Sequence, residues 1–127
     1  MNGLVVVDTS VFIEYLRGKS DDSLAVLVLN NQALLSPVVR LELLAGVRRS
    51  EYKALKTLCD ALRPITSFAT PGECEKLLHR ARGSGLFGGI PDLLILADTL
   101  SSGAVLFTYD EKMNKLAKKM KVPLLAL

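Results

Sequence analysis

The sequence predicts an α/β fold built around a small, mostly parallel central sheet. Three observations carry that reading. The runs VVV at 5–7 and VLF at 105–107 are short, apolar and rich in β-branched or large side chains, as strands buried on both faces are. Segments of helical length, opened or closed by Gly, Pro, Ser or Asp, lie between such runs. Each of the two strongest runs is followed closely by an aspartate, Asp8 and Asp110, at the strand end where open parallel sheets hold ligands.

The elements follow in order. Leu4 to Val7 reads as the first strand. Ser10 to Leu16 reads as a helix that Gly18 stops. Asp21 or Asp22 can cap a second helix through about Leu29, and its core LAVLVL is apolar nearly all round, so it needs cover on several sides. Leu34 and Leu35 form a brief second strand. Ser36-Pro37 starts a helix running to about Arg48, since Pro suits a first turn. Glu51 to Leu62 is helical and Pro64 to Thr66 a short third strand. Thr70-Pro71 opens a helix through about Arg82, GSGLFGGIP is a loop by composition, and Asp92 to Ser101 is a helix ended by Gly103. Val105 to Phe107 is a strand, Asp110 to Met120 a lysine-rich amphipathic helix, and Pro123 to Leu125 an edge strand. With no repeat, low-complexity tract or linker, residues 1–127 read as a single domain.

Composition narrows the function classes. Half of the 127 residues are hydrophobic and mean hydropathy is +0.32, high for a small domain, which suggests that a partner covers some apolar surface. A formal charge of +3 permits nucleic-acid binding without arguing strongly for it. Cys59 and Cys74 lack metal-ligand spacing and read as buried thiols of a reducing compartment. No apolar stretch approaches the ~20 residues that span a bilayer, and no basic leader precedes the first strand. A cytoplasmic protein with no membrane partner is expected.

The informative residues are acids in apolar surroundings. Asp8 ends a valine run. Glu42 lies in PVVRLELLAGV, where Arg40 is its only charged neighbour, and shares a face with Val38, Leu41 and Ala45. Asp92 follows Pro91 in a first helical turn, and Asp98, six residues on, points elsewhere. Each has a purely structural reading. Asp8, Asp92 and Asp110 could serve helix N-termini, and Glu42 could pair with Arg40 or Arg63. All four together suggest a shared site. Convergent carboxylates repel one another unless a cation joins them. An all-oxygen set favours Mg2+ or Mn2+, which can activate water for in-line attack on a phosphodiester. Other chemistries have less support. His79 is the single histidine and reads as a surface or RNA-side residue rather than a base, and neither a nucleophile elbow nor a phosphate-binding Walker loop occurs.

Three stretches, VVVDTSVFIEYLRG, RLELLAG and PDLLILADTLSSGAVLFTYDEKM, resemble the PIN-domain nucleases, most closely the VapC-type toxins, in order and over essentially the whole chain. The resemblance implies an α/β/α sandwich and Mg2+- or Mn2+-dependent endoribonuclease activity. It carries the acidic, metal-holding site onto Asp8, Glu42, Asp92 and Asp110, with Thr9, Ser10 and Thr108 beside it as hydroxyls that orient carboxylates or water. It also implies a homodimer and a VapB-type antitoxin that covers a groove. Many relatives have a further acid two residues after the position of Asp110, then an aromatic. Here Lys112 and Met113 stand there, so one tightly held ion is expected, with a second recruited by substrate. Arg80, Arg82, Lys112 and Lys115 are candidate RNA phosphate contacts. Two alternatives stay open: a PIN nuclease of RNA processing without an antitoxin, and a binding module whose acids are relics.

Overall fold

The computed structural model describes residues 3–19 and 21–126. Its centre is a four-stranded sheet of β1 (Val5–Val7), β2 (Ala33–Leu35), β3 (Arg63–Pro64) and β4 (Val105–Phe107), in the spatial order β3-β2-β1-β4. Every strand pair is parallel. Parallel neighbours need crossovers, and helices supply them. These are α1 (Thr9–Leu16) and α2 (Ser23–Leu29), then α3 (Pro37–Gly46) and α4 (Tyr52–Ala61), then α5 (Pro71–Ser84) and α6 (Ile90–Ser101), with α7 (Glu111–Lys119) after β4. The result is an α/β/α sandwich.

Most elements fall where periodicity puts them, and the shifts have local causes. Ser36 is fully buried and its Oγ accepts the Val39 N–H at 3.1 Å, so Ser-Pro starts α3 as expected. That helix ends at Gly46, short of Arg48, because Val47 turns extended at φ −83°, ψ 151°. A 3-10 turn at Arg49–Glu51 then leads into α4. Thr70 and Glu73 form a reciprocal capping box for α5, which runs on to Ser84 before Gly85 turns left-handed at φ +76°. The glycine loop is therefore shorter than its composition suggests, and α6 begins at Ile90 with Pro91 in its first turn. The third strand is Arg63–Pro64, although Ile65 still donates to the Leu35 carbonyl at 3.2 Å. The expected strand at 123–125 reduces to one parallel bridge, Leu124 with Leu106, held by two backbone hydrogen bonds of 2.8 Å.

The core is the two faces of this sheet and what covers them. Val6, Val7, Leu106 and Phe107 are almost wholly buried, as are Val11, Val39, Ile95, Leu96, Met113 and Leu116 from the surrounding helices. Helix α5 packs along α6, and α6 lies against both β1 and β4. Both cysteines are free thiols, Cys59 buried and Cys74 half-buried, and burial pushes both upward from the ordinary thiol range. Among the described residues no helix is long and apolar enough to cross a membrane.

The strand order fixes where a ligand can bind. From β1 the chain proceeds to β2 and β3 on one side. From β4, on the other side of β1, it proceeds through α7 to the Leu124 bridge, away from β1. Connections leaving β1 and β4 in opposite directions open a crevice between their carboxyl ends. Asp8 and Thr108 follow those two ends directly.

Candidate functional site

Asp8 occupies the N-cap position of α1 with extended backbone, φ −73° and ψ 155°, yet its side chain makes no cap hydrogen bond. Its carboxylate is instead held by two hydroxyls, one of them from across the crevice. Ser10 Oγ donates to Asp8 Oδ2 at 2.8 Å, and Thr108 Oγ1 donates to the same oxygen at 2.7 Å. Both hydroxyl hydrogens are thereby committed. The two hydroxyl oxygens then act as acceptors, Ser10 Oγ for the Tyr109 N–H at 3.0 Å and Thr108 Oγ1 for the Asp110 N–H at 3.1 Å. Two backbone amides of the turn after β4 thus act through two hydroxyls on one buried carboxylate oxygen. Asp8 is 6% exposed, and a buried carboxylate needs such donors.

Glu42 projects from α3 toward the same edge, where its Oε1 accepts from Thr9 Oγ1 at 2.8 Å. It is solvent-exposed, so burial on an apolar helix exacts no penalty, contrary to the expectation from its neighbours. Neither candidate arginine pairs with it. The Arg40 guanidinium is bound to the Asp60 carboxylate, and Arg63 donates to the Asn31 carbonyl at 3.3 Å. Asp110 does cap α7, with Oδ1 accepting the N–H groups of Lys112 and Met113 at 2.8 and 3.2 Å. Its structural role is therefore real, and it engages one oxygen.

Asp92 stands in the first turn of α6, half-buried. Burial first, then the carboxylates of Asp8, Asp110 and Glu42, push its pKa from 3.8 up to about 6. Four acids from four separate stretches of chain therefore share one electrostatic field. Among the described residues, no three of them are drawn close enough to chelate an ion directly as they stand. The donor chemistry suits a hard cation nonetheless. The cluster is all oxygen, and hydrogen bonds engage Oδ2 of Asp8, Oε1 of Glu42 and Oδ1 of Asp110, leaving a second oxygen on each. Mg2+ keeps several waters and needs only one or two direct carboxylates, so a spread cluster fits it better than a tight all-protein cage would.

The end of the glycine-rich stretch, just before α6, bears directly on Asp92. A Cβ on Gly88 would stand 3.1 Å from Asp92 Oδ2, and Gly89 holds φ +129°, a conformation L side chains rarely adopt. The sequence signal for it is two adjacent glycines four and three residues ahead of a first-turn acid. Asp98 is buried and distant in role; burial raises its carboxyl, and the hydrogen bond from the Ala69 N–H offsets only part of that.

The candidate phosphate contacts are not gathered into one patch. Arg80 donates to the Met120 carbonyl at 3.3 Å, at the far end of α7, about 15 Å along the helix from Asp110. Arg82 is exposed on α5. Lys112 and Lys115 are exposed in the first turns of α7, nearer the acids. His79 is exposed. Met113, where an aromatic was the expected pattern, is buried in the core.

The PIN domain family model matches residues 5–119. The chain belongs to the PIN-domain family. Solved structures agree on the fold across nearly its whole length. VapBC2 from Rickettsia felis, crystallised with a DNA fragment from its promoter, is 20% identical, with 94% of this chain and 93% of that one covered at a TM-score of 0.69. VapBC-1 from nontypeable Haemophilus influenzae is 17% identical, with 96% of each chain covered at 0.71. FitAcB from Neisseria gonorrhoeae is 18% identical, with 97% of each covered at 0.70. Likeness at these identities speaks for the fold alone. No curated protein matches the chain significantly. In this PIN domain the acids of the resemblance all lie at the carboxyl edge of the sheet, beside the crevice between β1 and β4.

Proposed function

We propose that this PIN domain is a divalent-metal-dependent endoribonuclease, the VapC-type toxin of a toxin–antitoxin pair. The observation that carries the reading is the convergence of Asp8, Glu42, Asp92 and Asp110: burial first, then the three other carboxylates, push the Asp92 carboxyl up to about 6. A half-buried acid that faces three other carboxylates is relieved when a cation joins them. In this reading the four carboxylates hold Mg2+ or Mn2+, in part through waters. When bound, such an ion supplies Lewis-acid activation of water and charge neutralisation at the scissile phosphate.

The chain's own residues do the positioning. Ser10 and Thr108 lock one oxygen of Asp8 and present the other. Thr9 orients Glu42, and the α7 N-terminus orients Asp110. Lys112, Lys115 and Arg82 are the surface cations offered to the RNA backbone. Arg80, committed to α7, is the weakest of that set.

The antitoxin partner is supported by an apolar groove of about 250 Å3 between α1, α2 and α4, lined by Phe12, Tyr15, Leu24, Val28, Leu29 and Leu58. Leu29 is 83% exposed, an unusual state for leucine in a helix. In this reading a VapB-type segment covers that groove, and the chain pairs with a second copy of itself. The solved relatives named VapBC lend the partner its type.

The test is cleavage of structured and unstructured RNAs by purified protein in Mg2+, Mn2+ and EDTA, beside Asp8→Asn. Cleavage that needs metal and falls by at least about 100-fold in the variant is expected. Full activity in EDTA or in Asp8→Asn removes the metal mechanism.

A further inference from the structure

Beside the acids lies a second, open cleft of about 850 Å3, bordered by Ser10 and Asp110 of the candidate site and by Glu14, Arg17, Lys19, Asp21 and Tyr109. Its chemistry is mixed. A lane for phosphates alone would be basic, whereas here two cations face two further carboxylates and an aromatic ring. Tyr109 is 37% exposed. Its ring stands edge-on to Phe107, with centroids 5.3 Å apart at 84°. Its N–H is fixed to Ser10 Oγ. The ring is therefore held in place before anything binds.

The carboxylates differ. Asp21 Oδ1 accepts the Ser23 N–H at 2.9 Å and is engaged at the start of α2. Glu14 only leans on Arg17, at a loose 3.7 Å. It remains able to accept two parallel N–H donors.

We infer that this cleft is a nucleobase pocket of the enzyme, stacking an unpaired base on Tyr109 and selecting guanine through Glu14. Single-stranded RNA is read by stacking on aromatic rings and by hydrogen bonds to base edges. Guanine offers N1–H and the N2 amino group side by side to a carboxylate. Adenine and uracil offer no such pair. Arg17 and Lys19 serve the phosphates on either side of the stacked base. The inference rests on the nuclease reading for its ligand, and it places substrate choice next to the scissile phosphate rather than on the lysines of α7.

The experiment is anisotropy of labelled uridine nonamers carrying one central guanosine, inosine, adenosine or cytidine, measured in EDTA with the full chain. The short strand can slide, so a single guanosine can reach the cleft. The guanosine nonamer should bind about 5-fold or more tighter than the inosine one, which lacks the N2 amino group. Glu14→Ala should erase that difference. Tyr109→Leu should weaken the guanosine nonamer about 10-fold, and Tyr109→Phe should restore it. Equal affinities for all nonamers, no binding of any, or a preference untouched by both variants would overturn the pocket. A cleft reserved for a protein partner would give that last pattern. Cleavage in Mn2+ on the same preparation separates the two readings. Cleavage without base preference sinks the pocket alone, and guanine preference without cleavage sinks the nuclease alone.

Discussion

Asp92 is the residue on which the electrostatics of this protein turn. An acid in the first turn of a helix ordinarily gains from the dipole and ionises easily. Here burial and three neighbouring acids outweigh that gain and hold the carboxyl near pH 6 in the metal-free protein. The consequence for stability has a definite sign. The folded pKa lies above the ordinary 3.8, so the folded state holds the proton more tightly than the unfolded chain. Stability from this group is intact below about pH 4, declines as pH rises toward 6, and stays lower above it. The shift from 3.8 to about 6 sets a ceiling of about 3 kcal/mol. The carboxyl is partly solvated, so about 1 kcal/mol is a fairer figure. Asp92→Asn in EDTA is expected to be more stable than the parent by that margin at pH 7.5 and equal to it at pH 4. Urea melts at the two pH values check this, and an identical margin at both would mean that Asp92 feels no such field. Added Mn2+ should stabilise the parent and leave the variant unmoved.

At the scale of elements, the loop into α6 carries a requirement of its own. Gly88 leaves open the space in which the Asp92 carboxylate sits, and Gly89 supplies a backbone turn that other residues resist. Gly88→Ala puts a methyl group 3.1 Å from Asp92 Oδ2, so the carboxylate must move by a few tenths of an ångström. A displaced ligand is expected to weaken Mn2+ binding about 10-fold by calorimetry, with little change in thermal stability. Gly83→Ala is the control. A Cβ there meets nothing and the residue lies within α5, so that variant should be neutral or more stable by up to about 1 kcal/mol. Equal Mn2+ binding in both variants would assign Gly88 no part in placing Asp92. The strands, most helix starts and the alternation that makes the sheet parallel were legible in the sequence, because VVV, VLF, Ser36-Pro37 and Thr70-Pro71 are local signals. The convergence of Asp8 and Asp110 followed from strand ends. What was not legible depends on distance across the fold: the relay from Tyr109 and Asp110 amides through two hydroxyls to Asp8, the exposure of Glu42, the commitment of Arg40 to Asp60, and the space at Gly88. Charge alone could not reveal that Arg80 serves the end of α7 and lies far from the acids.

For the molecule as a whole, the apolar excess of the composition has a location. Leu29, Tyr15 and Val28 line the groove that α1 and α2 form with α4 and stay exposed there. A folded monomer gains nothing from this surface, and exposed apolar patches of this kind belong to interfaces. Leu29→Lys separates the demands of folding from those of association. Leu29 is already 83% exposed, so the substitution removes little buried area and is expected to change stability by less than about 0.5 kcal/mol. It lies in α2, whereas the acids follow β1 and β4 or sit on α3 and α6, so metal-dependent cleavage should be unchanged. Binding of an antitoxin segment should suffer, since a lysine head in an apolar groove must stay solvated or lose its water. If the proposed pairing holds, the expected outcome is a protein of unchanged cleavage that needs at least about 10-fold more antitoxin to be silenced, measured by titrating cleavage with the partner. Normal silencing would move the interface elsewhere on the surface. Loss of cleavage with normal silencing would mean instead that α2 shapes the catalytic edge.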